Sequence, residues 1–366
     1  YISLQKDGIL FKMRRTQDLP DKESATMFFQ DCKLAHQAQI TGISHSVKEI
    51  LPPDLLDLTQ LQKEANIRYG YTASEVYDIA QSLYEKKLIS YPRTSSRYLT
   101  EDVFDSLSPI MARLLSWELF PAAKGTGGID ISSLSRHVIS AEKANVHHAI
   151  IITGIRPGNM SEKEMQVYRL VAGRMLEAFM APCRIETTNV EAVCAAQHFK
   201  VEQTRIIEAG WHDVFMCSDM IPTSGYSVKE LPKMEKGDTL NVCGCNMVHK
   251  KQLPVNPFTD AELVEYMEQN GLGTVSSRTN IIRTLVNRKY IRYSGKYIVP
   301  TPKGMFTYET IRGKKIADTS LTADWEKQLA GLESGMITGQ DFLNRIRTLA
   351  KEMTDDIFNT YSTKEE

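Results

Sequence analysis

Apolar residues recur with a helical period over much of this chain and alternate more tightly in two stretches. After Thr59, Leu61, Ala65 and Tyr69 lie on one helix face. Behind a cap at Thr72 or Ser74, Val76, Ile79, Ala80 and Leu83 mark a second helix. Leu88-Ile89-Ser90-Tyr91 reads as a short strand stopped near Pro92, residues 125–128 as a glycine loop, and Ser161 to Phe179 as a helix ended by Ala181-Pro182. From 183 to 255, short alternating runs around Thr187, Val190 and Val193 are punctuated by Gly210, Gly225 and Gly237-Asp238 and predict β-structure. Residues 1–51 hold an apolar run from Ile9 to Met13, a turn at Pro20-Asp21 and mixed signals after it. Leu51-Pro52-Pro53-Asp54 then breaks the chain. Further on, Thr259 caps a helix over Ala261 to Gln269 that Gly271 ends. Arg278 to Lys289 is a second helix with Ile281, Ile282, Leu285 and Val286 inward, and Tyr290 to Val299 folds as a hairpin about Ser294-Gly295. Thr338 with Asp341 opens a last helix bearing Phe342, Ile346, Leu349 and Met353.

The order helix, turn, helix, strand thus occurs twice, ahead of Tyr91 and of Tyr293, as in a winged helix. Chance recurrence of a common motif would give the same echo.

Composition changes this picture little at first. The chain has 366 residues, 42% hydrophobic and 24% charged, which suits a globular protein of several domains. No run approaches the roughly 18–20 apolar residues of a membrane span, and no basic-then-apolar start marks an export signal. The chain opens at Tyr1 without Met and is expected to be a processed or excised piece. Six scattered Cys suit a reducing, cytoplasmic setting. Cys243-Gly244-Cys245 lacks a second ligand pair for zinc, and no phosphate-binding Gly-x-x-x-x-Gly-Lys loop occurs, so neither a metal on this chain nor a nucleotide is expected.

Charge changes it more. The formal net charge of −1 argues against nucleic acid as a partner until its distribution is read. From Arg278 to Lys315 stand ten basic residues and one acid, Glu309; from Lys86 to Arg97 stand four and none. Tyr290, Tyr293, Tyr297 and Phe306 interleave the first run, Tyr91 and Tyr98 the second. One such run would fit a solvated face with core tyrosines. Two, on matched units, point to cations on phosphates beside rings that stack on bases.

Three segments could carry chemistry. In an extended Tyr91-Pro92-Arg93-Thr94-Ser95 segment, Tyr91, Arg93 and Ser95 share a face. A phenol titrating near about 10 needs help to act as a nucleophile. A neighbouring guanidinium stabilises the phenolate and the charge building on a phosphate under attack. Most tyrosines merely pack, and spacing alone does not separate the two roles. His147 and His148, adjacent and facing opposite ways, could bind phosphate or relay a proton, or be ordinary satisfied histidines. Gly271-Leu272-Gly273-Thr274-Val275-Ser276-Ser277-Arg278 offers close backbone approach and hydroxyls before a helix, an anion site or a plain turn.

In order along the chain, Leu58 to Ala65, Leu83 to Thr94 (with Leu88-Ile89-Ser90-Tyr91-Pro92-Arg93-Thr94), His147 to Ile151, Gly271 to Arg278, Pro300 to Gly304 and Leu321 to Glu326 resemble type IA DNA topoisomerases, the topoisomerase III branch above all. The resemblance covers nearly everything from about Leu51 onward. It implies a multidomain α+β chain: the toroidal type IA core, with helical winged-helix-like domains joined by a β arch, incomplete at its N-terminus. Residues 1–53 and 181–255 would form the β arch. Residues 54–180 would be the helical domain carrying the nucleophile, and 256–366 the single-strand-binding base domain. Tyr91 would cut one DNA strand through a 5′-phosphotyrosine link, let a second strand pass and reseal the break without ATP. Arg93 would stabilise the transition state, with His147 near the scissile phosphate. Ser96, Arg97, His148, Thr274, Ser276, Ser277 and Arg278 would hold the nucleic acid.

The resemblance also implies Mg²⁺ in the complete enzyme, held by an acidic Toprim domain with no counterpart in this sequence. This piece would then be inactive alone, a monomer in the cytoplasm at the nucleoid, binding single-stranded DNA, with RNA as a further candidate substrate. Three positions depart from the family pattern: Ser95 where Asp is usual, Ile152-Thr153 where Pro-Thr follows the histidine run, and Val275-Ser276-Ser277 for Pro-Ala-Thr. The first puts the support of Arg93 in doubt. The rival reading is a non-enzymatic winged-helix DNA-binding protein. A tyrosine relaxase or nuclease would want a His-rich metal cluster that the sequence lacks.

Overall fold

The computed structural model describes every residue except 118, 121–135, 145–146, 216–227, 249–255 and 363–366. The glycine loop expected at 125–128 and the turn at Gly225 lie outside the described residues. The chain divides into two compact units. One comprises Tyr1–Pro53, Phe120–Ser135 and Leu176–Pro254; the other comprises Asp54–Leu119, Arg136–Met175 and Val255–Glu366.

The first unit is a closed antiparallel barrel. Strands β1 (Ile2–Lys6), β2 (Ile9–Arg15), β3 (Gln37–Ile50), β4 (Cys183–Cys194), β5 (Gln197–Glu208) and β6 (Thr239–Cys245) join in the order β1-β2-β5-β4-β3-β6. Pairing of β6 with both β1 and β3 closes the ring and leaves no free edge. The strands expected for a β arch are thus found in a closed barrel. Its interior is apolar: Ile2, Leu4, Phe11, Met13, Ile40, Val190, Phe199, Val201 and Leu240 point inward at alternate positions. The mixed signals after Pro20 resolve into helix α1 (Lys22–Leu34), capped by Asp21 on the Ser24 amide (2.7 Å), followed by the long strand β3. β3 and β4 run side by side from Gln39↔Val193 to Ile50↔Cys183. At that end Gly210 has φ +52°, and any Cβ there would meet the Ala181 and Pro182 carbonyl oxygens at 2.4 Å, so only glycine fits.

The second unit is mainly helical. It holds α2 (Leu58–Tyr69), α3 (Ala73–Glu85), α4 (Glu101–Asp105), α5 (Leu107–Ser116), α6 (Ala141–Ala144) and most of α7 (Glu162–Phe179). It continues with α8 (Asp260–Gln269), α9 (Arg278–Asn287), the hairpin β7 (Ile291–Ser294) and β8 (Tyr297–Pro300), α10 (Pro302–Ile311), α11 (Thr319–Glu333) and α12 (Gly339–Ser362). Capping boxes at Thr72/Glu75 and Thr259/Glu262 start α3 and α8. The helix–helix–hairpin order expected of a winged helix is met by α8, α9, β7 and β8, with Gly295 at φ +59° in the turn.

Here α2 and α3 pack on α8 and α9. Ala73, Val264, Met267, Ile282 and Ile298 form a small apolar core. Around it, Gln62 Nε2 donates to the Ala73 carbonyl (2.9 Å) and Thr279 Oγ1 (3.0 Å). The Asp260 carboxylate accepts from the Ala73 amide and the Tyr293 hydroxyl.

Two expectations need correction. Leu88–Tyr91 bends at Leu88 and Ser90 and makes one isolated bridge among the described residues, Ile89↔Ile152, so it is not a strand. Lys87 at φ +60° turns the chain just before it, and Pro92 has no N–H with which to continue a ladder. Ile281 is 38% exposed rather than inward, because Ile282 alone of that pair faces the core. No helix among the described residues is long and apolar enough to cross a membrane.

Candidate active site

The segment after α3 is laced to residues 147–153. The Ser90 amide donates to the Ile151 carbonyl (2.8 Å), and Ser90 Oγ donates to the Ala149 carbonyl (3.1 Å) while accepting from the Ile151 amide (2.9 Å). Buried Leu88, Ile89, Ile150 and Ile152 hold the two segments from beneath. This lacing sets the exposed His147 ring 4.6 Å from the Tyr91 ring, and Thr94 Oγ1 donates to the His147 carbonyl (3.1 Å). On the other side Tyr84 meets Tyr91 edge-on at 5.4 Å.

Alternation along the segment follows the sequence reading. Pro92, Thr94 and Ser96 are buried, while Tyr91 and Arg93 are half-buried and Ser95 is exposed. Arg93 lies over the Tyr77 ring (5.1 Å) and donates through Nη2 to Gln81 Oε1 (3.2 Å). Its Nε is buried and has no acceptor among the described residues. The site therefore combines a phenol, an imidazole beside it and a guanidinium with an unspent donor. That set can attack a phosphodiester and stabilise the charge that builds on it.

Ser96, expected on the nucleic acid, is turned inward. Its hydroxyl donates to the Lys143 carbonyl (2.8 Å) and accepts from the Tyr98 amide (3.1 Å), so it shapes the loop instead. Arg97 is 41% exposed and donates through Nε to Asp57 (2.8 Å), itself the N-cap of α2. With Ser95, Tyr98, Glu142 and Lys143 it lines a cleft of about 500 Å³. His148 is half-buried, and its Nδ1–H donates to the Ala149 carbonyl (2.7 Å).

In the 271–278 loop, Gly271 and Gly273 take positive φ (+64° and +69°), and a Cβ on Gly273 would press Ser277 Oγ at 2.8 Å. Ser277 Oγ accepts from the Thr274 amide (2.8 Å), and Thr274 Oγ1 also reaches Ser276 Oγ (3.2 Å). Thr274 and Ser276 face solvent. Arg278, expected to grip a strand, is buried and paired with Glu268 (3.3 Å). Glu268 also accepts from Thr59 of α2 (3.4 Å). The first turn of α2 thus carries both Asp57, bound to Arg97, and Thr59, bound to the partner of Arg278. It ties the Tyr91 segment to the glycine loop through one element.

Cations left for a polyanion include Arg288, Lys289, Arg292 and Lys296, at the end of α9 and on the hairpin. All four are exposed and none has an ion-pair partner among the described residues. Sequence reasoning missed Tyr77, Gln81 and Tyr84 as parts of the site; their i, i+4, i+7 spacing beside the apolar stripe of α3 was the available signal. Among the described residues no three His, Cys, Asp or Glu side chains converge to hold a metal ion.

A family model described as DNA topoisomerase matches residues 2–344. DNA topoisomerase 3 of Bacillus licheniformis is 31% identical over 344 residues, 87% of this chain and 47% of that protein. DNA topoisomerase 3 of Shouchella clausii is 30% identical over 383 residues, 96% of this chain and 51% of that protein. The chain spans about half the length of these curated relatives. Full-length topoisomerase I from Thermotoga maritima shares the fold, with a TM-score of 0.73 at 23% identity over 96% of this chain and 58% of that one.

Proposed function

The chain belongs to the type IA DNA topoisomerase family, and from that premise we propose that it supplies the nucleophile and DNA-binding parts of a strand-passing enzyme. Tyr91 stands between His147 and Tyr84 with Arg93 two residues on, and that arrangement carries the proposal. The phenolic oxygen attacks phosphorus in a single DNA strand. A Tyr91 Oη–P bond forms and the P–O3′ bond breaks; the phenol loses its proton and the departing 3′ oxygen gains one. A 5′-phosphotyrosine holds the broken end while another strand passes, and the 3′ hydroxyl then attacks back. The phosphodiester energy stays in the covalent link, so no ATP is needed.

Arg93 binds a phosphoryl oxygen through the donors its Gln81 contact leaves free. His147 stays beside the phenol as a proton carrier or phosphate ligand. Arg97, Thr274 and Ser276 face the strand, and Arg288, Lys289, Arg292 and Lys296 neutralise its backbone. Mg²⁺, expected from the resemblance and held by residues outside this chain, would lower the repulsion between the phosphate and the incoming phenolic oxygen. Single-stranded DNA is the substrate, the complete molecule a ring-shaped monomer, and RNA a second candidate substrate.

The test uses the full-length protein and an oligodeoxynucleotide labelled at its 3′ end. Wild type transfers label to protein in a denaturant-resistant adduct, and Tyr91→Phe gives none. Adduct formation by Tyr91→Phe would assign the nucleophile elsewhere.

A further inference from the structure

We propose that one face of α3, bearing Tyr77, Gln81 and Tyr84, is the cradle that fixes the Tyr91–Arg93 pair, and that Gln81 is the positioning residue for the Arg93 guanidinium. The inference rests on the reading of Tyr91 as nucleophile and adds to it the element that aims the arginine.

The three side chains stand at i, i+4 and i+7, a single helical stripe. Tyr77 lies under Arg93 at 5.1 Å, Gln81 Oε1 accepts from Arg93 Nη2 at 3.2 Å, and Tyr84 meets Tyr91 edge-on at 5.4 Å. A guanidinium is a flat fork of five N–H donors. The Tyr77 ring bounds the guanidinium on one side, and one acceptor at Nη2 fixes its orientation there. The remaining donors are then aimed without being consumed. Nε among them is buried with no acceptor among the described residues, a costly state that a phosphoryl oxygen would relieve.

The cradle is itself held at both ends. The Thr72/Glu75 capping box starts α3, and Ser82 and Lys86 near its other end both donate to Glu164 (2.7 and 2.6 Å). Ser95, which stands where the family usually has Asp, is exposed beyond this arrangement. Support of Arg93 in this protein therefore comes from α3 and not from its own segment.

The experiment compares Gln81→Met and Gln81→Glu in the full-length protein, with the 3′-labelled oligodeoxynucleotide. Gln81→Met should slow adduct formation at saturating DNA by roughly tenfold or more, the scale expected for a misaimed catalytic group. The oligonucleotide concentration at half-saturation should not move. Gln81→Glu keeps an oxygen acceptor at the same place and should restore most of the rate. In an Arg93→Ala background, Gln81→Met should add no further loss, because its effect runs through the arginine. A wild-type rate for Gln81→Met, or a full multiplicative loss in the Arg93→Ala background, would overturn the assignment. So would equal slowing of both Gln81 variants with a fall in melting temperature, which marks a merely structural role. Tyr91→Phe is run alongside: adduct formation there sinks the nucleophile reading, while the Arg93 cycle still decides the role of Gln81.

Discussion

The interior of the barrel and the interior of the helical unit are built on different terms. Within the barrel unit the buried side chains are almost all apolar, with Ser3, Glu177 and His212 the polar ones among the described residues. The helical unit buries Asp57, Thr59, Gln62, Thr94, Ser96, Arg174, Asp260, Arg278 and Thr279. Most of these polar groups hold a loop or join two elements: Asp57 to Arg97, Gln62 to Thr279, Ser96 to Lys143, Arg278 to Glu268. A sheet satisfies its own backbone and needs only apolar filling. Loops that present chemistry do not, and buried donors and acceptors must fix them one by one.

That contrast can be broken by experiment. Leu4 is fully buried in the barrel, and Leu4→Ala should cost about 3 kcal/mol of stability through lost burial and the cavity left behind. A urea titration reads the loss, and affinity for a single-stranded oligonucleotide should stay unchanged. Weakened affinity at unchanged stability would show that the barrel is more than a scaffold.

Next in size is Asp260. Asp260→Ala leaves the Ala73 amide and the Tyr293 hydroxyl without their acceptor and should cost about 2 kcal/mol. Asp260→Asn keeps an acceptor and should recover much of that. Burial pushes the Asp260 carboxyl up from its ordinary 3.8, against the opposing pull of Ala73 and Tyr293. A raised carboxyl favours the fold most when protonated. Its stabilising contribution is therefore complete below 3.8 and falls as pH rises through the folded value. Asp260→Asn should lack that dependence in thermal melts across the acid range.

Tyr168 sharpens the contrast from the opposite side. Its hydroxyl is buried in α7 with no partner among the described residues, and burial alone pushes its pKa up. Tyr168→Phe should raise stability by about 1 kcal/mol. A loss on calorimetric melting would mean that the hydroxyl is satisfied after all.

The smallest effect belongs to Glu164. Lys86, the Ser161 amide and Ser82 hold its carboxyl down from 4.5 to about 2. Its contribution is present above 4.5 and is lost as pH falls towards 2. Lys86 is exposed enough for solvent to screen the pair, so the contribution should stay under about 1 kcal/mol. Glu164→Gln should flatten stability between these pH values, and an unchanged acid limb would assign that slope to other carboxylates.

Local rules made part of the molecule legible in advance. The boxes at Thr72 and Thr259, the turn at Gly295 and the alternation from Tyr91 to Ser96 each depend on residues within a few positions of one another. Closure of the barrel depends on Ile2 finding Cys245, and no local pattern encodes that pairing. The inward turns of Ser96 and Arg278 likewise follow from the Lys143 carbonyl and from Glu268, which spacing around the two residues does not reveal. Tyr77 and Gln81 were readable only as a stripe on α3, because their target, Arg93, lies beyond the helix end.

The register of the barrel also dictates the order in which the molecule can be made. Ile50 pairs with Cys183 and Ile2 with Cys245, so the earlier strands wait for partners made much later. Helices such as α2, α3 and α7 close their backbone hydrogen bonds within their own segments and can form in the interval, before α8 and α9 arrive to pack on α2 and α3. The barrel's first strands are made before helices α2 to α7, and its last strand only after them. Until Cys245 has emerged, β1 and β3 carry open edges, and in that half-made state nascent chains are most exposed to pairing with one another.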